Sequence, residues 1–120
     1  MDIFNIFHLE SARRLPNLPA EHPCARVHGH SFQVEVHLSG PLDETLGWVT
    51  DFAEVEVAWA PVKAALDHRY LNDVPGLDNP TSERLAIWIW DRLKPMLPGL
   101  AKIIIRETAS SGCVYEGERA

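Results

Sequence analysis

The run Cys24-x-x-x-His28-Gly29-His30 holds the densest chemistry in the sequence. Side chains two apart on a strand point to the same side, so His28 and His30 can converge on one ion. Gly29 leaves the backbone between them open to close approach. Cys24, four residues upstream, adds a thiol that serves as ligand or base once ionised. The pattern has two readings: a metal-binding pair, or two hydrogen-bonded, inert histidines at the start of an amphipathic strand. A second cluster is Asp67-His68. An aspartate beside a histidine can fix the ring's tautomer and raise its basicity. The plainer reading is a histidine that complements the dipole at a helix C-terminus. Glu107 follows Ile103-Ile104-Ile105-Arg106 as a carboxylate at a strand end. Such a group is usually solvated, and it recognises a ligand only when it is buried against one. His8, His22 and His37 have no matching partners in the sequence and read as surface or loop residues.

Elements of ordinary pattern must position these groups. Residues 2–12 carry apolar side chains on both parities, with Ile3, Phe7 and Leu9 on one and Phe4 and Ile6 on the other. That suits a strand buried on both faces. Residues 14–27 hold three prolines and little pattern, which reads as a long loop of functional character. From His30, the residues Phe32, Val34, Val36 and Leu38 alternate with polar ones until Gly40-Pro41. Asp51 and Glu54 have capping-box spacing ahead of a helix over 52–66, with Pro61 inside it. Residues 67–79 form a second irregular stretch. Thr81 or Ser82 caps a second helix that runs to about Leu93, before Pro95. Ile103–Ile105 and residues 112–117 read as a closing hairpin. The order is ββααββ, an α+β fold with two helices on one face of an antiparallel sheet. Open edges and an uncovered face predict a homo-oligomer.

Bulk properties narrow the function. The 120 residues suit one domain over 1–120, with 46% hydrophobic and 23% charged residues. A net charge of −6 argues against a nucleic-acid partner, which needs a basic face. No apolar run approaches a membrane span, and nothing reads as a targeting signal. These features point to a cytoplasmic protein with Cys24 and Cys113 reduced.

The pieces fall in a familiar order. Leu15-Pro16, Cys24-x-x-x-His28-Gly29-His30-Ser31-Phe32 and Gly47-Trp48-Val49-x-Asp51-Phe52 come first. Leu66-Asp67-His68-x-Tyr70-Leu71-Asn72-Asp73, Asn79-Pro80-Thr81-Ser82-Glu83 and Arg106-Glu107-Thr108 follow. Together they resemble the 6-carboxytetrahydropterin synthases, a branch of the 6-pyruvoyltetrahydropterin synthase superfamily. The match spans nearly the whole chain, and the short gap between Cys24 and His28 favours the 6-carboxy branch. The resemblance implies a T-fold, in which subunit sheets join into an oligomeric barrel with active sites at subunit interfaces. It implies zinc on three histidines and a small-molecule pterin substrate, 7,8-dihydroneopterin triphosphate. The implied products are 6-carboxy-5,6,7,8-tetrahydropterin, acetaldehyde and triphosphate, on the 7-deazaguanine route to queuosine. By position, His28 and His30 match zinc ligands and Cys24 matches the catalytic thiol. Asp67 and His68 match its acid/base partners. Glu107 matches the carboxylate that grips the pterin's guanidine-like edge, with Thr81 and Ser82 at pterin-contacting positions. One residue departs from the pattern. In Glu10-Ser11-Ala12-Arg13-Arg14-Leu15-Pro16, Arg13 stands where the family places its first zinc-ligand histidine. Arginine stays protonated and has no lone pair for a metal.

Overall fold

The computed structural model describes residues 1–118. The alternating apolar pattern forms a sheet of four antiparallel strands in the order β1-β2-β3-β4. They are β1 (Asp2–Arg13), β2 (His28–Ser39), β3 (Leu100–Thr108) and β4 (Ser111–Tyr115). Helices α1 (Phe52–Leu66) and α2 (Ser82–Leu93) lie between β2 and β3 in the chain, as the patterns predict. Leu9, Phe32, Val34, Val36, Ile103 and Ile105 share one buried cluster with Val55, Val62 and Leu66 of α1 and Leu85, Ile89 and Leu93 of α2. Each such side chain contributes roughly 1.5–3 kcal/mol by leaving water.

The helix ends follow their sequence signals. Asp51 Oδ1 accepts from the Ala53 amide at 2.9 Å and starts α1. Pro61 removes one helical hydrogen bond, yet α1 continues through it. Val57 and Pro61 are both exposed, so water can reach the freed Val57 carbonyl. Thr81, rather than Ser82, caps α2, accepting from the Arg84 amide at 3.2 Å. That leaves the Ser82 hydroxyl free for another partner.

Two features position the site. First, β3 pairs with β2 only from Gln33 to Leu38, so the segment from His28 to Phe32 is laddered to β1 alone. Its far side stays open to other groups. Second, the β3–β4 register shifts between Arg106 and Thr108, which leaves Glu107 out of the ladder. A bulge of this kind re-aims a side chain at a strand end.

The expectation that β1 is buried on both faces does not hold within one chain. Leu9 is fully buried, whereas Phe4 and Ile6 on the other face are 52% and 45% exposed. Among the described residues no helix covers that outer face, because both helices pack on the inner one. The outer face also holds a buried carboxylate that the sequence reading missed. Glu35 faces Arg106 Nε at 2.8 Å and His37 Nε2 at 2.9 Å, so His37 does have a partner. Burial pushes the Glu35 carboxyl up, but those bonds outweigh it and hold it below the usual carboxylate range. The closing strand also starts and stops earlier than expected, at Ser111 and Tyr115 instead of 112 and 117.

Replacing Asp51 by alanine is expected to cost about 1 kcal/mol, because one orphan amide loses its acceptor. Urea denaturation measures it, and an unchanged midpoint would show that the cap adds nothing.

Candidate functional site

The ends of several elements meet around Arg13. Within the β1–β2 ladder, Arg13 lies opposite His28 and Ser11 opposite His30. Arg13 shares the parity of Leu9 and Ser11, so its side chain turns inward and is only 3% exposed. A buried guanidinium needs acceptors. Arg13 Nη2 donates to Glu107 Oε1 at 2.7 Å, and Nη1 donates to the Pro80 carbonyl at 3.0 Å. The guanidinium carbon sits 4.9 Å from the Phe32 ring centroid. Ser82 Oγ donates to the same Oε1 at 2.5 Å. Glu107 Oε2 takes no hydrogen bond from the described residues. Burial raises the Glu107 carboxyl, but the Ser82 and Arg13 bonds overcome this and keep it below the usual range.

The second cluster forms where α1 ends. Asp67 caps the helix, and the chain then runs beside β1. The His68 amide donates to the Glu10 carbonyl at 2.6 Å, and the Ala12 amide to the Arg69 carbonyl at 3.0 Å. His68 has φ 56°, a left-handed conformation that a non-glycine residue adopts only when its surroundings hold it there. Asp67 Oδ1 accepts from the Glu10 amide at 2.9 Å, while Oδ2 faces His68 Nδ1 at 2.9 Å. The Glu10 bond is the larger cause of the lowered Asp67 pKa, with His68 adding to it. The His68 ring is 78% exposed, so its free Nε2 is open to a ligand. His30, Gly29, Ser11 and His68 line one open cleft of about 530 Å³. Asp67 and His68 therefore pair, and His68 shares a cleft with His30.

The remaining expected residues lie differently. Cys24 sits on a short 3-10 turn, Pro23–Ala25, and is partly buried with a free thiol. It does not line the cleft that His30 and His68 share. His22 Nδ1 accepts from the Cys24 amide at 3.0 Å, which gives that loop histidine a capping role. Cys113 is also unpaired, and burial pushes its thiol up. Thr81 spends its hydroxyl on the helix cap, whereas Ser82 reaches Glu107. His8 stands opposite Gln33, on the parity opposite to Arg13, and lines a separate cleft with Gln33, Arg106 and Glu107.

A three-histidine zinc site needs three imidazole lone pairs aimed at one point. His28 Nδ1 donates to the Arg26 carbonyl at 2.8 Å and His30 Nε2 to the Glu107 carbonyl at 3.1 Å. Each ring keeps one lone pair, in the manner of a metal ligand oriented from behind. The third position holds a cation already committed to Glu107. Among the described residues, no three His, Cys, Asp or Glu side chains gather around one point. The residues present do not make the three-histidine site.

The 6-pyruvoyl tetrahydropterin synthase family model matches residues 2–118. The chain belongs to this family. A 6-carboxy-5,6,7,8-tetrahydropterin synthase from Synechocystis is 39% identical, covering 98% of this chain and 94% of that protein. A 6-pyruvoyl tetrahydrobiopterin synthase from Dictyostelium discoideum is 39% identical over 79% of this chain and 74% of its own. The solved 6-pyruvoyl tetrahydropterin synthase of Caenorhabditis elegans superposes with TM-score 0.89 at 28% identity, covering 98% of this chain and 96% of that one. The T-fold expectation is thereby met at the level of the subunit. No helix among the described residues is long and apolar enough to cross a membrane.

Sequence reasoning missed the Arg13–Glu107 pair. The signal was present in parity: an arginine on the inner face of a strand must find a carboxylate.

Two outcomes are expected. Arg13→His restores a third lone pair, so zinc per subunit should rise above that of the unchanged protein by elemental analysis of dialysed samples. Equal zinc in both would mean that another group completes the site. For Asp67, the folded pKa lies below the unfolded one, so its stabilisation is present above the unfolded pKa and is lost as pH falls through the folded value. The stability gap between the unchanged protein and Asp67→Asn should therefore narrow on acidification below about pH 4. A gap that stays constant to lower pH would contradict the Glu10 and His68 contacts.

Proposed function

We propose that this protein is a carbon–carbon lyase. It would convert 7,8-dihydroneopterin triphosphate and one water to 6-carboxy-5,6,7,8-tetrahydropterin, acetaldehyde and triphosphate. The observation that carries the reading is the match to the Synechocystis 6-carboxy enzyme, which spans nearly all of both chains. The three-residue gap between Cys24 and His28 supports this chemistry over that of the 6-pyruvoyl relatives. The product would feed 7-deazaguanine and queuosine synthesis.

In this reading the chain's own residues divide the work. Glu107, ionised, accepts N–H bonds from the 2-amino-4-oxo edge of the pterin and sets its orientation. Ser82 steadies that carboxylate, and Thr81 begins the helix that carries Ser82. His68 exchanges a proton with the substrate side chain through Nε2, while Asp67 fixes the proton on Nδ1. The Cys24 thiolate removes a proton from carbon on the opposite side. Zinc in this family polarises substrate oxygens, but here only His28 and His30 are left to hold it, so no step above depends on it.

The catalytic unit in this proposal is a homo-oligomer in the cytoplasm. Phe4, Ile6 and Val114 expose a large apolar area on the outer face of the sheet, which a neighbouring subunit would cover. Cys24 lies outside the cleft of its own chain, so an interface would have to bring a thiol to it.

A second reading, a pterin-binding protein without turnover, is favoured by one observation: Arg13 takes both the metal-ligand position and an oxygen of the anchor carboxylate.

The deciding experiment incubates the protein with 7,8-dihydroneopterin triphosphate and quantifies acetaldehyde against 6-carboxytetrahydropterin. Equal amounts of both are expected, with turnover falling about a hundredfold or more in Cys24→Ala and His68→Ala. Loss of triphosphate without acetaldehyde would replace the lyase by the 6-pyruvoyl activity. Binding with no product would leave the non-catalytic reading.

A further inference from the structure

Arg13 and a pterin present the same chemistry to Glu107. A guanidinium offers parallel N–H donors, and so does the amino-pyrimidinone edge of a pterin; a carboxylate fork suits either. The arginine has taken its share of that fork. Oε1 accepts from Arg13 Nη2 and Ser82 Oγ together, which fills the two lone pairs of a carboxylate oxygen. Oε2 alone is left for a ligand. The guanidinium occupies the space between Phe32, the Pro80 carbonyl and Glu107.

We propose that Arg13 is the specificity-determining residue of this site: it occupies the acceptor that a pterin's paired N–H donors need, so a pterin is gripped at two points only after Arg13 leaves Oε1. The inference rests on the reading of Glu107 as the pterin anchor. With Arg13 in place the anchor is a one-acceptor contact, and ligands with and without the 2-amino group bind alike. With Arg13 removed, the amino group is read.

The seat of Arg13 fits a displaceable group. Its Nε is buried and has no partner among the described residues. A guanidinium that leaves one donor unsatisfied in the interior holds its position less firmly than a fully paired one. Glu107 keeps the Ser82 bond when Arg13 moves away, so the carboxylate stays aimed. Glu107 is also the more open partner, with 34% of its side chain exposed against 3% for Arg13, and solvent can reach it when the pair opens.

The test compares two probes by fluorescence titration: pterin, which carries the 2-amino group, and lumazine, which has an oxygen in its place. The proteins are the unchanged chain, Arg13→Ala and Arg13→His, the last being the residue of the family pattern and therefore compatible with the fold. All titrations contain a chelator, so metal does not contribute, and thermal melting confirms folding. Pterin affinity is expected to rise about tenfold in both variants, the gain of one charge-assisted hydrogen bond, while lumazine affinity changes less than about threefold. Pterin affinity that stays equal or falls in Arg13→His overturns the inference. So does a pterin complex of the unchanged protein in which Arg13 Nη2 remains on Oε1 while both pterin N–H groups are bound. Glu107→Gln in the Arg13→His background separates the two levels. Lost pterin binding there keeps the anchor reading whatever Arg13 does; unchanged binding removes the anchor reading itself.

Discussion

A guanidinium taken out of water must be paired, and that constraint organises the functional end of this fold. Arg13 reaches the interior because its parity on β1 gives it no other direction. Its two hydrogen bonds tie the end of β1 to the end of β3 and to the residue before the α2 cap. Those elements are far apart in the chain, so the pair acts as a tertiary clasp. Breaking a buried pair from one side costs about 3–5 kcal/mol when the remaining charge is fully enclosed. The cost here is unequal. Glu107 is partly exposed and keeps Ser82, whereas Arg13 without Glu107 would be a buried cation with only a carbonyl and a ring face for company. The carboxylate therefore matters more to the arginine than the arginine does to the carboxylate.

Most of the fold was legible because its signals are local. The alternation Phe32, Val34, Val36, Leu38 places an inner face on β2, and the caps Asp51 and Thr81 act within a few residues of themselves. The face assignment of β1 failed for a physical reason. Apolar residues on both parities state that both faces avoid water, not that one chain supplies both covers. Phe4 and Ile6 remain exposed on the outer face of the chain taken alone. Glu35 was equally hidden, since its burial on the outer face depends on Arg106, which lies across a β2–β3 ladder that local pattern does not reveal.

The site divides along the same line. His28 and His30 share a face by strand geometry alone, and Asp67 beside His68 becomes a pair once the chain leaves α1. Both follow from neighbours in sequence. Arg13 and Glu107 are separated by 94 positions, so their meeting depends on the whole sheet closing in register. The sequence marked Arg13 as out of place against the family pattern but gave no partner for it. Cys24 shows the opposite case: its motif is clear in sequence, yet its turn sets it outside the cleft that His30 and His68 line.

Exchanging a histidine for an arginine keeps positive charge in this corner of the protein but changes what that charge can do. A metal ion held by three neutral rings draws oxygen ligands toward itself and leaves a nearby carboxylate free to face other donors. A guanidinium is a donor in its own right. It turns to the nearest carboxylate, and in this fold that is Glu107, the group proposed above to read a ligand's N–H edge. The two roles conflict because they need the same oxygen. In that reading a single residue couples the family's metal-ligand position to the proposed recognition position through one hydrogen bond of 2.7 Å. Any change that gives Arg13 a better acceptor, or removes it, acts on both positions at once.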